Sequence, residues 1–191
     1  MLHRVSNCLA DKLVHSGVIT PESKSIYIYG LEVLLSSIIS TSLILIIGVA
    51  LGRFIDTLSF LIVFIVLRSF SGGFHANKYW LCTVITISIY CVVMLLSAYI
   101  KIKIPLIAFG SMAPIGIAVL LFKAPIQNPN KNITASEAIR HKIVSVILFS
   151  LMLFSAVALS DGFVSTSNTI FFTLIFDLTL LFVKTRYAET K

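Results

Sequence analysis

His75 and Cys82 carry the two side chains in this sequence whose combination is best suited to covalent chemistry. A cysteine thiolate attacks carbonyl carbons, and a neighbouring imidazole takes up and returns the proton of the thiol. On a straight helix, a separation of seven residues would place these side chains about 10.5 Å apart along the axis. A direct hydrogen bond needs about 3–3.5 Å. We therefore expect an irregular chain after Gly72-Gly73 that folds His75 back toward Cys82.

The composition places this chemistry in a membrane. Of the 191 residues, 58% are hydrophobic and 12% are charged, and the mean hydropathy is +1.01. A soluble domain carries about 25% charged residues, and one of this size could not bury so much apolar surface in its core. A soluble enzyme, a disordered regulator and a disulfide-stapled secreted domain are therefore excluded. The net charge is +7, and the charged residues lie between apolar runs. This distribution indicates contact with anionic lipid rather than with nucleic acid.

The apolar runs predict an all-α, polytopic membrane protein with about six transmembrane helices in a single domain, residues 1–191. The predicted spans are 25–51, 54–74, 79–100, 104–122, 143–159 and 169–183, and the polar segment 123–142 is the longest predicted loop. The second span has a charge-free stretch, 57–67, of only 11 residues. Its helix must therefore take Arg68 into the membrane edge or end early at a water-filled cavity.

An amphipathic helix is predicted ahead of the first span, at residues 1–20. Its apolar residues recur at helical spacing, and its charged residues take the other positions; the apolar residues are Leu2, Val5, Leu9 and Leu13. Two placements stay open at this point. The helix lies in the plane of the membrane interface, or it packs on the protein itself.

The distribution of basic residues predicts the orientation. With the N-terminus inside, 12 of the 15 basic residues lie on the inner side and 3 on the outer side, namely Arg53, Lys101 and Lys103. The positive-inside rule then places both termini in the cytoplasm.

The few ionisable residues within the predicted spans lie at similar depth. Counted from the same face of the membrane, Glu32 and Asp177 are each about 9 Å deep and Cys82 is about 4.5 Å deep. Arg68 ends the second span on that face, and His75 follows it in the connection. Ionisable residues in a membrane usually mark function. The alternative is structural pairing between helices, for instance of Arg68 with Glu32.

The run from Arg68 to Cys82, RSFSGGFHANKYWLC, resembles the central motif of the accessory gene regulator protein B (AgrB) family. That motif has an Arg, a Gly-Gly-x-His and a Cys seven residues after the His. Tyr29-Gly30-Leu31-Glu32 and Lys123-Ala124-Pro125 are similar to further landmarks of the family. The resemblance covers nearly the whole chain.

This resemblance implies a cysteine endopeptidase of the bacterial cytoplasmic membrane. Such an enzyme cleaves the C-terminal tail from a small AgrD-type propeptide through an acyl-thioester, and aids cyclisation of a quorum-sensing autoinducing peptide. Cys82 matches the family nucleophile and His75 matches the general base. Arg68 and Gly73 match supporting positions, and Glu32 matches an acidic position without an assigned role. Asp177 matches no family position, and only its depth makes it a candidate supporting or substrate-binding residue.

The expected partners are the propeptide and the lipid bilayer, with a homodimer as a further hypothesis. No cofactor, metal or nucleic acid is expected. A zinc site of His75, Cys82 and Cys91 is disfavoured, because Cys91 lies nine residues after Cys82 and so faces the opposite side of the helix.

Two other classes of protein are alternatives. A non-enzymatic peptide exporter or channel would account for the embedded charges without using His75 or Cys82. A structural or sensor membrane protein would need only an interhelical pair such as Glu32 with Arg68. Replacement of Cys82 separates these classes, because only the enzyme depends on its thiol.

Overall fold

A computed structural model describes residues 2–72, 79–125 and 134–182 of the chain. These residues form helices joined by short connections, with no β-strand among them. The helices are α1 (Leu2–His15), α2 (Lys24–Ala50, preceded by a 3₁₀ turn, Pro21–Ser23), α3 (Phe54–Ser71), α4 (Tyr79–Tyr99), α5 (Leu106–Lys123), α6 (Ala135–Leu159) and α7 (Val164–Leu180). Five of them, α2 to α6, are long and apolar enough to cross a membrane, and α7 is a shorter apolar helix. The predicted all-α polytopic membrane fold is confirmed.

The shorter helix, α7, lies at the centre of the bundle. It contacts α3, α4, α5 and α6, and ten of its 17 residues are buried. Helix α7 begins at Val164, whereas the predicted span begins at Thr169. The polar residues that make 164–168 look like a loop are bonded inside the bundle; Ser167, for example, donates to the carbonyl of Ala156 at 2.6 Å. A helix enclosed by protein can carry polar side chains that a lipid-facing helix cannot.

Two other helix ends also differ from the predicted spans. Helix α6 begins at Ala135 rather than at 143, because Thr134 and Glu137 form a capping box that starts the helix within the predicted loop. Helix α3 ends at Ser71, where Gly72 adopts a φ of 72°, a conformation that favours glycine. Helix α3 is continuous through Arg68, so this residue is part of the span.

Helices α3 and α7 run parallel, and their polar contacts at one end fix the register. Asp56 of α3 accepts hydrogen bonds from Ser165, 109 positions later, and from Thr166, 110 positions later, both at 2.8 Å. Arg68, near the end of α3, and Asp177, near the end of α7, are also 109 positions apart. We call these the Arg53 end and the Arg68 end of the bundle. From Asp56 to Arg68 the axial distance is about 18 Å.

The N-terminal helix α1 packs on α2, so one of the two predicted placements is observed. Ser6 and Ala10 are fully buried at this contact, and Lys24 Nζ lies 2.6 Å from Asp11 Oδ1. Val5 and Leu9 remain exposed on another face of α1. An interfacial position of this exposed apolar face stays a prediction.

Candidate active site

Cys82 is the fourth residue of α4, in the first helical turn after the connection 73–78. Its side chain is half-buried, and its carbonyl accepts a hydrogen bond from Thr86 Oγ1 at 2.9 Å. The next residue, Thr83, joins α4 to α2, because its Oγ1 lies 2.9 Å from Ser40 Oγ and 3.3 Å from Ser36 Oγ. Both contacts fix the turn that carries Cys82 against α2.

Hydrogen bonds between α3 and α4 show which residues are level with Cys82. Thr57 Oγ1 and Tyr90 Oη are 2.8 Å apart, and Arg53 Nη2 donates to Ser97 Oγ at 2.9 Å. These contacts define an antiparallel register. Continued along both helices, it brings Arg68 level with the first turn of α4. The thiol of Cys82 therefore lies at the Arg68 end of the bundle.

Arg68 and Asp177 lie level with each other at this end, on the neighbouring helices α3 and α7. Arg68 is half-buried, and its guanidinium lies 5.2 Å from the ring centroid of Phe64. Asp177 is buried, and the positive charge of Arg68 acts on its carboxyl group. The sequence predicts similar depths for the two residues, and the parallel register of α3 and α7 brings them to the same level.

Glu32 has a different partner from the one considered in the sequence. Its Oε1 lies 2.6 Å from Nδ1 of His3, so the carboxyl group joins α2 to α1 rather than to Arg68. Glu32 is buried, whereas the imidazole of His3 is 71% exposed. Glu32 is one helical turn from Ser36, which places it toward the Arg68 end as well. The acidic residue thus links the docked helix α1 to the region around Cys82.

Two predicted site residues, His75 and Gly73, lie outside the described residues. The pairing of His75 with Cys82 and the supporting role of Gly73 therefore stay predictions. Both residues belong to the connection between α3, which ends at Ser71, and α4, which begins at Tyr79.

The two other cysteines lie on exposed faces of their helices. Cys8 is on α1, and Cys91 is on the face of α4 that also exposes Val84, Val92 and Leu95. Cys91 therefore points out of the bundle while its neighbour Tyr90 is fully buried. This arrangement makes Cys91 a suitable control residue for experiments on Cys82.

Sequence reasoning missed an extensive polar network at the Arg53 end. Arg53 donates to Asp56 Oδ2 at 2.9 Å, to the carbonyl of Met94 at 2.6 Å and to Ser97. Its guanidinium also reaches Ser165, which donates to the same Asp56 oxygen. From the sequence, Arg53 is interpreted only as a basic residue of the outer side. The i, i+3 spacing of Arg53 and Asp56 at the start of a helix, followed later by a polar run at 165–168, is the signal that was available.

The comparison with known families agrees with this arrangement. The family model described as accessory gene regulator B matches residues 6–183. The chain belongs to the accessory gene regulator B family. The matched range includes all of α2 to α7 and the complete segment from Arg68 to Cys82.

Individual relatives are similar over most of the chain. AgrB-like protein 2 of Clostridium perfringens (strain 13 / Type A) is 30% identical over 165 residues, which cover 81% of this chain and 75% of the relative. The AgrB-like protein of strain SM101 is 29% identical over the same shares of both chains. FsrB of Enterococcus faecalis is 28% identical over 149 residues, 65% of this chain and 60% of the relative. No solved structure matches the chain.

Membership in this family ties the protein to accessory gene regulator quorum-sensing systems, in which an AgrB protein acts in a membrane with a propeptide partner. The embedded polar residues of the Arg68 end are therefore the candidates for a role in propeptide processing.

Proposed function

We propose that the protein is a membrane cysteine endopeptidase that cleaves the C-terminal tail of a small AgrD-type propeptide. Cys82 is the nucleophile and His75 is the general base. The reaction passes through an acyl-thioester on Cys82 and aids cyclisation of a quorum-sensing autoinducing peptide. Arg68, Gly73, Glu32 and Asp177 are the supporting or substrate-binding residues.

The position of Cys82 is the observation that carries this proposal. Its thiol is half-buried in the first turn of α4, level with the half-buried Arg68 and the buried Asp177. The thiol of Cys91, in contrast, faces out of the bundle. A nucleophile must meet substrate where water is scarce and charges are fixed, and among the three cysteines this description fits Cys82.

The cleavage step follows from the chemistry of a thiol and an imidazole. His75 takes the proton of Cys82, and Sγ attacks the scissile carbonyl carbon to give a tetrahedral intermediate. When this intermediate collapses, the C–N bond breaks, His75 protonates the leaving amine, and the tail departs. The remaining propeptide is held on Cys82 as a thioester. Backbone N–H groups after the end of α3 are candidate donors to the oxyanion.

Cyclisation is a second acyl transfer from the same intermediate. A thiol of the substrate gives its proton to His75 and attacks the thioester carbonyl, so that a new C–S bond forms, the bond to Cys82 breaks, and Cys82 leaves as the thiolate. Little free energy separates the two thioesters, so the activation of the carbonyl is conserved in a thiolactone ring. A serine hydroxyl in place of the thiol gives a lactone. Exclusion of water from the site favours this exchange over hydrolysis.

Activation of the thiol provides the test of the proposed pair. In a protein with Cys8→Ala and Cys91→Ala, we expect Cys82 to react with a membrane-permeant thiol reagent faster than a free thiol at pH 6, because His75 increases its thiolate fraction. Adding His75→Ala should remove this advantage, so that the rate follows the pH dependence of an ordinary thiol. The measurement is the rate of labelling by mass spectrometry between pH 5 and 9. Identical pH profiles with and without the imidazole would contradict the proposed pair.

We further propose that the Arg68 end faces the cytoplasm of a bacterium, with both termini on that side of its membrane. Single cysteines in a cysteine-free protein test this with an impermeant reagent. Lys131→Cys should be labelled only after lysis, whereas Ile102→Cys and Gly162→Cys should be labelled in intact cells, because the basic residues are retained inside. Labelling of Lys131→Cys from outside would reject both the orientation and a cytoplasmic active site.

A further inference from the structure

Asp177 has an oxygen that no side chain of the bundle satisfies. The residue is 6% exposed, and its Oδ2 has no hydrogen-bond partner among the described residues. A carboxylate oxygen without a donor is unfavourable in a low-dielectric interior, because its interaction with water is lost and nothing replaces it. Buried polar atoms of this kind are rare in native proteins, and each needs an explanation.

Asp56, at the other end of the same pair of helices, has a hydrogen-bond donor for each of its carboxylate oxygens. Asp56 receives a hydrogen bond from Arg53 at 2.9 Å and one each from Ser165 and Thr166 at 2.8 Å. Helices α3 and α7 can therefore supply enough donors to saturate a carboxylate. At Asp177 the chain supplies the positive charge of Arg68, but the residues next to it on α7 are Phe176 and Leu178, which donate nothing.

A bound peptide offers the type of donor that Asp177 lacks. Each residue of an extended chain presents one backbone N–H, and every such group that enters a membrane interior needs an acceptor. The register of the helices puts Asp177 level with Arg68, and Arg68 level with the turn that carries Cys82. Helices α4 and α7 are neighbours, so a peptide with its scissile carbonyl at Cys82 would bring its N–H groups to the depth of this oxygen.

We propose that Asp177 Oδ2 accepts a hydrogen bond from a backbone N–H of the propeptide close to the scissile bond. Asp177 is then a substrate-binding residue. This inference rests on the proposed function, because it takes the substrate to be a peptide that reaches Cys82. A purely structural pair of Arg68 and Asp177 would hold the helices together without contacting the substrate.

An ester scan of the propeptide tests this contact directly. Each backbone amide near the cleavage site is replaced in turn by an ester, which removes one N–H. Binding of the fluorescent propeptide is measured in lipid nanodiscs with Cys82→Ala protein, so that no cleavage intervenes. With Asp177 present, we expect one ester position to weaken binding about fivefold or more, because the buried acceptor loses its donor. With Asp177→Leu, the same ester should have no further effect.

The controls separate binding from folding. Asp177→Asn keeps the shape of the side chain and should show reduced sensitivity to the same ester even if Asp177→Leu does not fold. Thr173→Val lies one turn earlier on α7 and removes a buried hydroxyl that already donates to Thr169, so the ester pattern should not change. An ester pattern that is the same with and without the carboxylate would overturn the proposal and leave Asp177 a structural partner of Arg68. Failure of the proposed cysteine mechanism would be detected in a separate measurement, because the Cys82→Ala protein would still release the tail.

Discussion

Replacement of Cys82 by alanine is expected to lower the release of the propeptide tail by about a thousandfold or more. Loss of the nucleophile removes the covalent pathway entirely, and comparable losses in thiol and serine hydrolases are of this size or larger. Cys82→Ser should be nearly as inactive, because a hydroxyl is far less ionised than a thiol and this site has only one imidazole to activate it. Tail release from co-expressed propeptide, followed on gels, measures the effect.

Cys91→Ala is the matched control, since it removes a thiol from the same helix. Its side chain faces out of the bundle, so we expect tail release close to that of the unaltered protein and a loss of stability below about 1 kcal/mol. A peptide exporter would behave differently, because it uses neither thiol. Normal tail release by Cys82→Ala would exclude the peptidase and favour the exporter.

Asp56→Ala is expected to destabilise the protein more than other single changes at the Arg53 end, by about 3–5 kcal/mol. The change removes the carboxylate that receives Arg53, Ser165 and Thr166, and it leaves the guanidinium, whose side chain is only 18% exposed, without its counter-charge. Thermal unfolding in detergent, followed by loss of soluble protein, measures the change. The Arg68 end is about 18 Å away, so tail release per folded molecule should stay close to normal.

The exposed pair of Lys103 and Asp161 provides the control for this prediction. It is also an ion pair, between the α4–α5 and α6–α7 connections, but its side chains are 50% and 84% exposed. Asp161→Ala should therefore cost less than about 1 kcal/mol, as is usual for surface ion pairs. Equal destabilisation by Asp56→Ala and Asp161→Ala would show that the buried network does not hold α3 and α7 together.

The sequence predicted the class of fold because lipid imposes strict rules on a chain. Spans of about 20 apolar residues must be helical, and this was enough to find α2 to α6. Helix α7 starts five residues before the predicted span, since the rule assumes contact with lipid. Its first turns contain Thr166, Ser167 and Asn168, which are tolerated because neighbouring helices enclose them.

Depth could be predicted for the embedded ionisable residues, but their partners could not. Counting residues from the helix ends places Glu32 and Asp177 near the same level, and both are buried. Which helices are neighbours depends on packing among all of them, which no local pattern encodes. Glu32 therefore meets His3 of the docked helix α1, and the parallel register of α3 and α7 brings Asp177 level with Arg68.

Capture of the acyl-enzyme is the most direct test of the claim that Cys82 forms a thioester with the propeptide. A propeptide whose ring-forming thiol or hydroxyl has been removed blocks cyclisation, so the intermediate should accumulate. After an acid quench and digestion, mass spectrometry should find the propeptide without its tail attached to Cys82, through a bond that neutral hydroxylamine cleaves. One tail should be released per protein in an initial burst. Tail release that proceeds at the normal rate with no adduct on Cys82 would contradict the account.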